Sequence, residues 1–69
     1  MKTNITAYRE REGLSQGELA TAVGVSRQTI NAIERDRYNP SLELAFKLAA
    51  YFECPIEALF EPNIEPVGE

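Results

Sequence analysis

Sixty-nine residues leave room for one domain and one modest hydrophobic core, since a chain this short buries only about 60% of its unfolded surface. One cysteine, Cys54, closes no internal disulfide; the lack of histidine removes the usual zinc spacings; and no apolar run nears the roughly 20 residues that cross a bilayer. The formal charge of −4 argues against tight non-specific nucleic-acid binding, yet residues 1–52 hold all seven bases against six acids, whereas residues 53–69 hold five glutamates and no base.

Apolar residues recur at helical spacing between Gly, Pro and Ser, which predicts an all-α bundle of five short helices. Thr3 or Asn4 caps the first, which turns Ile5, Tyr8 and Ala7 inward and stops at Gly13. Ser15 and Glu18 form a capping box that opens the second, with Leu19, Ala20 and Val23 on one face and Gly24 at its end. Ser26 caps the third, where Val25, Ile30 and Ile33 face the core. Asn39-Pro40 breaks the chain and Ser41 caps the fourth, whose apolar stripe is Leu42, Ala45, Leu48, Ala49 and Phe52. Pro55 suits the first turn of a fifth helix carrying Ile56, Leu59 and Phe60, which Pro62 ends.

Function concentrates in Gln16 to Arg35, read as helix, tight turn, helix. Two helices crossing steeply need a small side chain where their axes approach, which Ala20 supplies, and Gly24 makes the turn. With Ile30 and Ile33 in the core, Arg27, Gln28 and Asn31 face outward together. Arg pairs with the two major-groove acceptors of guanine, Gln and Asn pair with adenine, and the Thr29 methyl can meet a thymine methyl. A solvated polar face is the bland alternative for these residues. Arg27, Arg35 and Arg37 fall close together in the chain, so a basic face exists locally despite the total charge.

The segments Tyr8-Arg9-Glu10, Gly13-Leu14-Ser15-Gln16, Glu18-Leu19-Ala20, Val23 to Ile30, Ile33-Glu34, Arg37 to Leu42 and Ile56 to Phe60 together resemble the XRE, or phage Cro/CI-repressor, type of helix-turn-helix regulator. The resemblance covers about residues 4 to 60, and its specificity lies in the order and spacing of the pieces. It implies that the third helix enters the major groove, with Arg27, Gln28 and Asn31 as base readers. It implies that Gln16 touches a phosphate and braces the readers. It also implies a partly buried salt bridge between Arg9 and Glu34, two charges that each interrupt an apolar face. Many members carry Gly where this chain has Asp36, which puts the loop after the third helix in question.

Ser26, Arg35, Arg37, Tyr38 and Asn39 are candidate phosphate contacts beside the reading helix, with plain solvent exposure as the alternative. The exposed remainder of Ile56, Leu59 and Phe60 forms a candidate homodimer patch, because one reading helix covers only a half-site, with ordinary monomer core as the alternative. Cys54 is read as a small buried apolar group, with a redox sensor as the alternative, and Tyr51 and Phe52 as core or interface instead of base-stacking platforms. Close relatives imply a small β-ribbon between Met1–Thr3 and Asn63–Val67. Residues 1–60 are then the DNA-binding domain and residues 61–69 a short acidic tail. The expected function is a cytoplasmic repressor that binds double-stranded DNA as a homodimer at a palindromic operator. A second reading, from another class, is an antitoxin or protein-interaction module whose tail holds a partner. An enzyme fails for want of a histidine, a Gly-rich phosphate loop or a convincing acid pair. No metal or cofactor is expected, and no membrane.

Overall fold

The computed structural model describes residues 2–61. Along the chain run β1 (Lys2–Thr3), α1 (Ile5–Arg11), α2 (Gln16–Val23), α3 (Arg27–Glu34), α4 (Leu42–Phe52), α5 (Ile56–Leu59) and β2 (Phe60–Glu61). Helices α2, α3 and α4 start alike, with Ser15, Ser26 and Ser41 each accepting the N–H of the residue three further on. At α2 the box is complete, since the Glu18 carboxylate accepts from the Ser15 amide at 2.8 Å.

The first four helices also stop alike. A left-handed residue follows each, and its N–H and that of its successor return to carbonyls of the last turn. Gly13 and Gly24 take this conformation without strain, at φ 71° and 79°. Asp36 and Glu53 do the same at φ 60° and 55°, although a β-carbon disfavours it. Behind Asp36, for instance, its own N–H reaches the Ile33 carbonyl at 3.1 Å and the Arg37 N–H reaches that of Ala32 at 2.9 Å. The residues that follow the other three, Leu14, Val25 and Cys54, fold back onto the core.

That core is centred on Ile5, Leu19, Ile30, Ile33, Leu48 and Leu59, all fully buried. Ala20 is buried in α2, and its carbonyl accepts the Val25 N–H at 2.9 Å across the turn. Tyr8 and Phe52 meet as a tilted aromatic pair with centroids 5.5 Å apart.

Four expectations are corrected. Ala7 is exposed, not inward. Leu42 is 68% exposed and Leu44 takes its place inside. At 100° per residue Leu42 lies about 90° around α4 from the middle of the buried face, beyond what the core covers. Asn4 precedes α1 without capping it through its side chain. Its amide instead donates to the Ala58 carbonyl at 3.0 Å and to Glu61 Oε2 at 3.2 Å, tying the two ends of the chain together. Finally, α5 ends at Leu59, before Pro62, because the chain turns extended there and pairs with β1.

The ribbon is antiparallel, Lys2 opposite Glu61 and Thr3 opposite Phe60. Glu61, which composition assigns to the tail, is therefore part of the fold. The expected strand at Asn63–Val67, Met1 and the acidic stretch 62–69 lie outside the described residues. The Asn4 N–H donates to the Leu59 carbonyl at 2.8 Å and extends the pairing by one bond.

Candidate nucleic-acid interface

Helix α3 has two faces, and helical geometry separates them. Taking Arg27 as origin, Asn31, Arg35 and Gln28 fall within an arc of roughly 100°, while Ile30 and Ile33 lie on the opposite side in the core. Arg27, Gln28 and Arg35 are exposed and Asn31 is half-buried. Thr29 does not share the arc: it stands about 150° from its centre. Its hydroxyl lies 3.0 Å from that of Ser26, and its side chain faces a depression shared with Val25, Tyr38 and Leu44. Ala32, one turn beyond Gln28, is the partly exposed methyl group nearest the arc, and residue patterning alone did not single it out.

Behind the arc stands a continuous polar connection. Arg9 donates through Nε to Glu34 Oε2 at 2.8 Å and through Nη2 to Oε1 at 3.2 Å, while Nη1 donates to the Leu14 carbonyl at 2.8 Å. The two side chains are only 13% and 6% exposed, so α1 is locked to α3 by a bidentate ion pair with little water. Gln16 Nε2 donates to Glu34 Oε1 at 3.0 Å, and Gln16 Oε1 accepts from Asn31 Nδ2 at 3.4 Å. Burial alone would push the Glu34 carboxyl up. Hydrogen bonds from Arg9, Gln16 and Thr6, with the charge of Arg9, outweigh burial and hold it below the usual glutamate value. The hydrogen bond to Glu34 raises the Arg9 guanidinium in turn, against its own desolvation.

Around the arc, Ser26, Arg35, Arg37, Tyr38 and Asn39 are exposed. The Ser26 hydroxyl is already the cap of α3, accepting the Thr29 N–H at 3.1 Å. At the start of α2 the first-turn N–H groups of Gln16 and Gly17 have no intrahelical acceptor, as in any helix. Asp36 is the acid within this basic neighbourhood, and it sits at positive φ. Asp36→Gly is expected to stabilise the fold by about 1 kcal/mol in urea titration. Duplex affinity should rise too as a repulsive charge disappears, and a fall in affinity would count against this loop lying near the phosphates.

The expected dimer patch is only partly available. Leu59 is 0% and Phe60 6% exposed, since the ribbon turns both into the chain's own core, leaving Ile56 half-buried. The apolar side chains that do reach the surface are Leu42, Phe46 at 56% exposed, Tyr38 and Tyr51. Among the described residues no helix is long and apolar enough to cross a membrane, and no group of three potential metal ligands occurs.

Two helices joined by a glycine-stopped turn, the second offering guanidinium and amide groups outward, define a helix-turn-helix DNA-binding domain. Residues 5–59 match the Helix-turn-helix family model, and the chain belongs to that family, in its XRE-type branch. An HTH-type transcriptional regulator of Methanocaldococcus jannaschii is 52% identical over 60 residues, covering 87% of this chain and 91% of its own. The restriction-modification controller protein C.AhdI of Aeromonas hydrophila superposes with a TM-score of 0.74 at 34% identity, over 81% of this chain and 85% of its own. SinR, the Bacillus subtilis master regulator for biofilm formation, solved in complex with DNA, superposes at 0.70 and 33% identity, over 77% and 86%. The protein is a transcriptional regulator with a helix-turn-helix DNA-binding domain.

Proposed function

We propose that this regulator is a repressor that occupies a palindromic operator as a homodimer, in the cytoplasm, with one α3 in the major groove of each half-site. The observation that carries the reading is the outward arc of exposed Arg27 and Gln28 with half-buried Asn31, backed by half-buried polar partners. Arg27 pairs with guanine, and Gln28 and Asn31 with adenine. The Ala32 methyl replaces that of Thr29 as the apolar contact to thymine. The amides of Gln16 and Gly17, at the positive end of α2, meet one phosphate. Ser26, Arg35, Arg37, Tyr38 and Asn39 meet others and set the register.

The second copy covers α4. Leu42, Phe46 and Ala50 recur every four residues along its outer side, and Ile56 lies beyond them across the α4–α5 groove. A twofold axis at Phe46 sets the large Leu42 of each copy against the small Ala50 of the other, a self-complementary seam.

Selection of bound sequences from random duplexes should return an inverted repeat with half-sites about one helical turn, roughly 34 Å, apart. Arg27→Ala and Gln28→Ala, titrated at fixed salt, should each lose roughly 1–3 kcal/mol of discrimination at one base pair of each half-site. If both select and bind as the unaltered protein does, α3 is not read as described.

A further inference from the structure

The polar chain behind α3 has a direction, and its direction bears on which base Asn31 accepts. An ionised carboxylate only accepts hydrogen bonds. Glu34 Oε1 therefore obliges Gln16 to present its NH2 group, at 3.0 Å, which turns the Gln16 carbonyl oxygen toward Asn31. That oxygen in turn obliges Asn31 to direct Nδ2 inward, at 3.4 Å, and leaves its Oδ1 and one N–H facing out. One acceptor beside one donor is the complement of the N6 amino group and N7 of adenine. Guanine shows two acceptors, O6 and N7, and matches this amide poorly.

We propose that Glu34, which lies behind the reading face, selects adenine over guanine at the Asn31 position by fixing the polarity of two successive amides. Glu34 and Gln16 are positioning residues in this scheme, and Asn31 alone touches the base. The inference rests on α3 reading the major groove. Arg9 belongs to it as well, because its Nε and Nη2 hold the two carboxylate oxygens in place, with Oε1 shared between Nη2 and Gln16.

Glu34→Gln tests the direction. Arg9 donates to both oxygen positions, and the shorter of its bonds, from Nε at 2.8 Å, keeps the new amide oxygen at the Oε2 position, while Nη2, at 3.2 Å, gives up its acceptor, so the new NH2 faces Gln16. Gln16 then turns its oxygen toward position 34 and its NH2 toward Asn31. Asn31 turns its oxygen inward and offers both hydrogens outward, the complement of guanine. Random-duplex selection should show the adenine-to-guanine ratio at that one base pair falling about tenfold or more, with the other positions unchanged.

Gln16→Met provides the second arm, since it keeps the Arg9–Glu34 pair and cuts the connection. Adenine and guanine should then be accepted to a similar extent at the same base pair. A residue that merely held the fold together would weaken binding evenly across all sequences. Asn31→Ala separates the two ideas. If it relaxes one base pair while Gln16→Met, and Glu34→Gln where folded, retain the adenine preference there, the inference fails and groove reading stands. If Asn31→Ala changes no position, base reading by Asn31 fails, and the inference with it.

Discussion

Replacing Arg9 by alanine destabilises the domain by about 3–5 kcal/mol in urea titration at neutral pH, because one partner of a buried pair is removed and the other charge stays. Glu34 keeps Gln16 and Thr6 but loses its two Arg9 hydrogen bonds and the positive charge that offsets its burial. The Leu14 carbonyl loses its donor too. The pH dependence checks the cause. In the unaltered protein the Glu34 carboxyl is held below its ordinary value of 4.5, so the unfolded chain binds that proton more readily. The stability this gives is complete above about pH 4.5 and is lost as pH falls through the lower, folded value. In Arg9→Ala burial is left less opposed and the carboxyl moves up from its place in the parent, so acid weakens the variant less than it weakens the parent. The gap between the two should narrow from pH 7 toward pH 4. A gap under about 0.5 kcal/mol at pH 7 would show that the pair is solvated and that α1 is held to α3 by packing alone.

Phe46→Glu acts on assembly and leaves the fold intact. Its side chain is more than half exposed, so helical content and melting of the single chain should change little. Across the proposed twofold seam, however, two carboxylates would face each other. Sedimentation should report a monomer at concentrations where the parent is a dimer. Affinity for the full inverted repeat should fall roughly 10²–10⁴-fold, the advantage of tethering two half-site binders, while affinity for an isolated half-site holds. Leu59→Glu, by contrast, should unfold the chain, because Leu59 belongs to the core. An unchanged dimer in Phe46→Glu would move the seam elsewhere.

The helix starts were legible because Ser15, Ser26 and Ser41 act within three residues of themselves, and local chemistry leaves a local trace. Two of the four stops were legible for the same reason, as glycine marks positive φ. At Asp36 and Glu53 the same positive φ falls on residues whose side chains do not mark it. The ends of the chain were harder. Nothing near Asn4 shows that its amide serves Ala58 and Glu61 across 54 and 57 residues instead of capping its own helix. The same long-range pairing withdraws Leu59 and Phe60 from the surface, which spacing alone could not reveal. At the interface, period separated Arg27, Gln28 and Asn31 from the core but did not set Thr29 apart. Chemical type favoured Thr29 as a reader, and only its angle around α3 argues against it.

The short ribbon makes completion of the fold a late and reversible event. Its strands are far apart in the sequence, so they meet only after the nearer helices have condensed, and they close beside Leu59, which anchors the four-residue α5 in the core. Opening of the ribbon would loosen the hold on α5 and on Ile56. In the proposed dimer, subunit association and closure of the ribbon would draw on one equilibrium: dilution that separates the copies would loosen the ribbon, and strengthening the ribbon would tighten the pair.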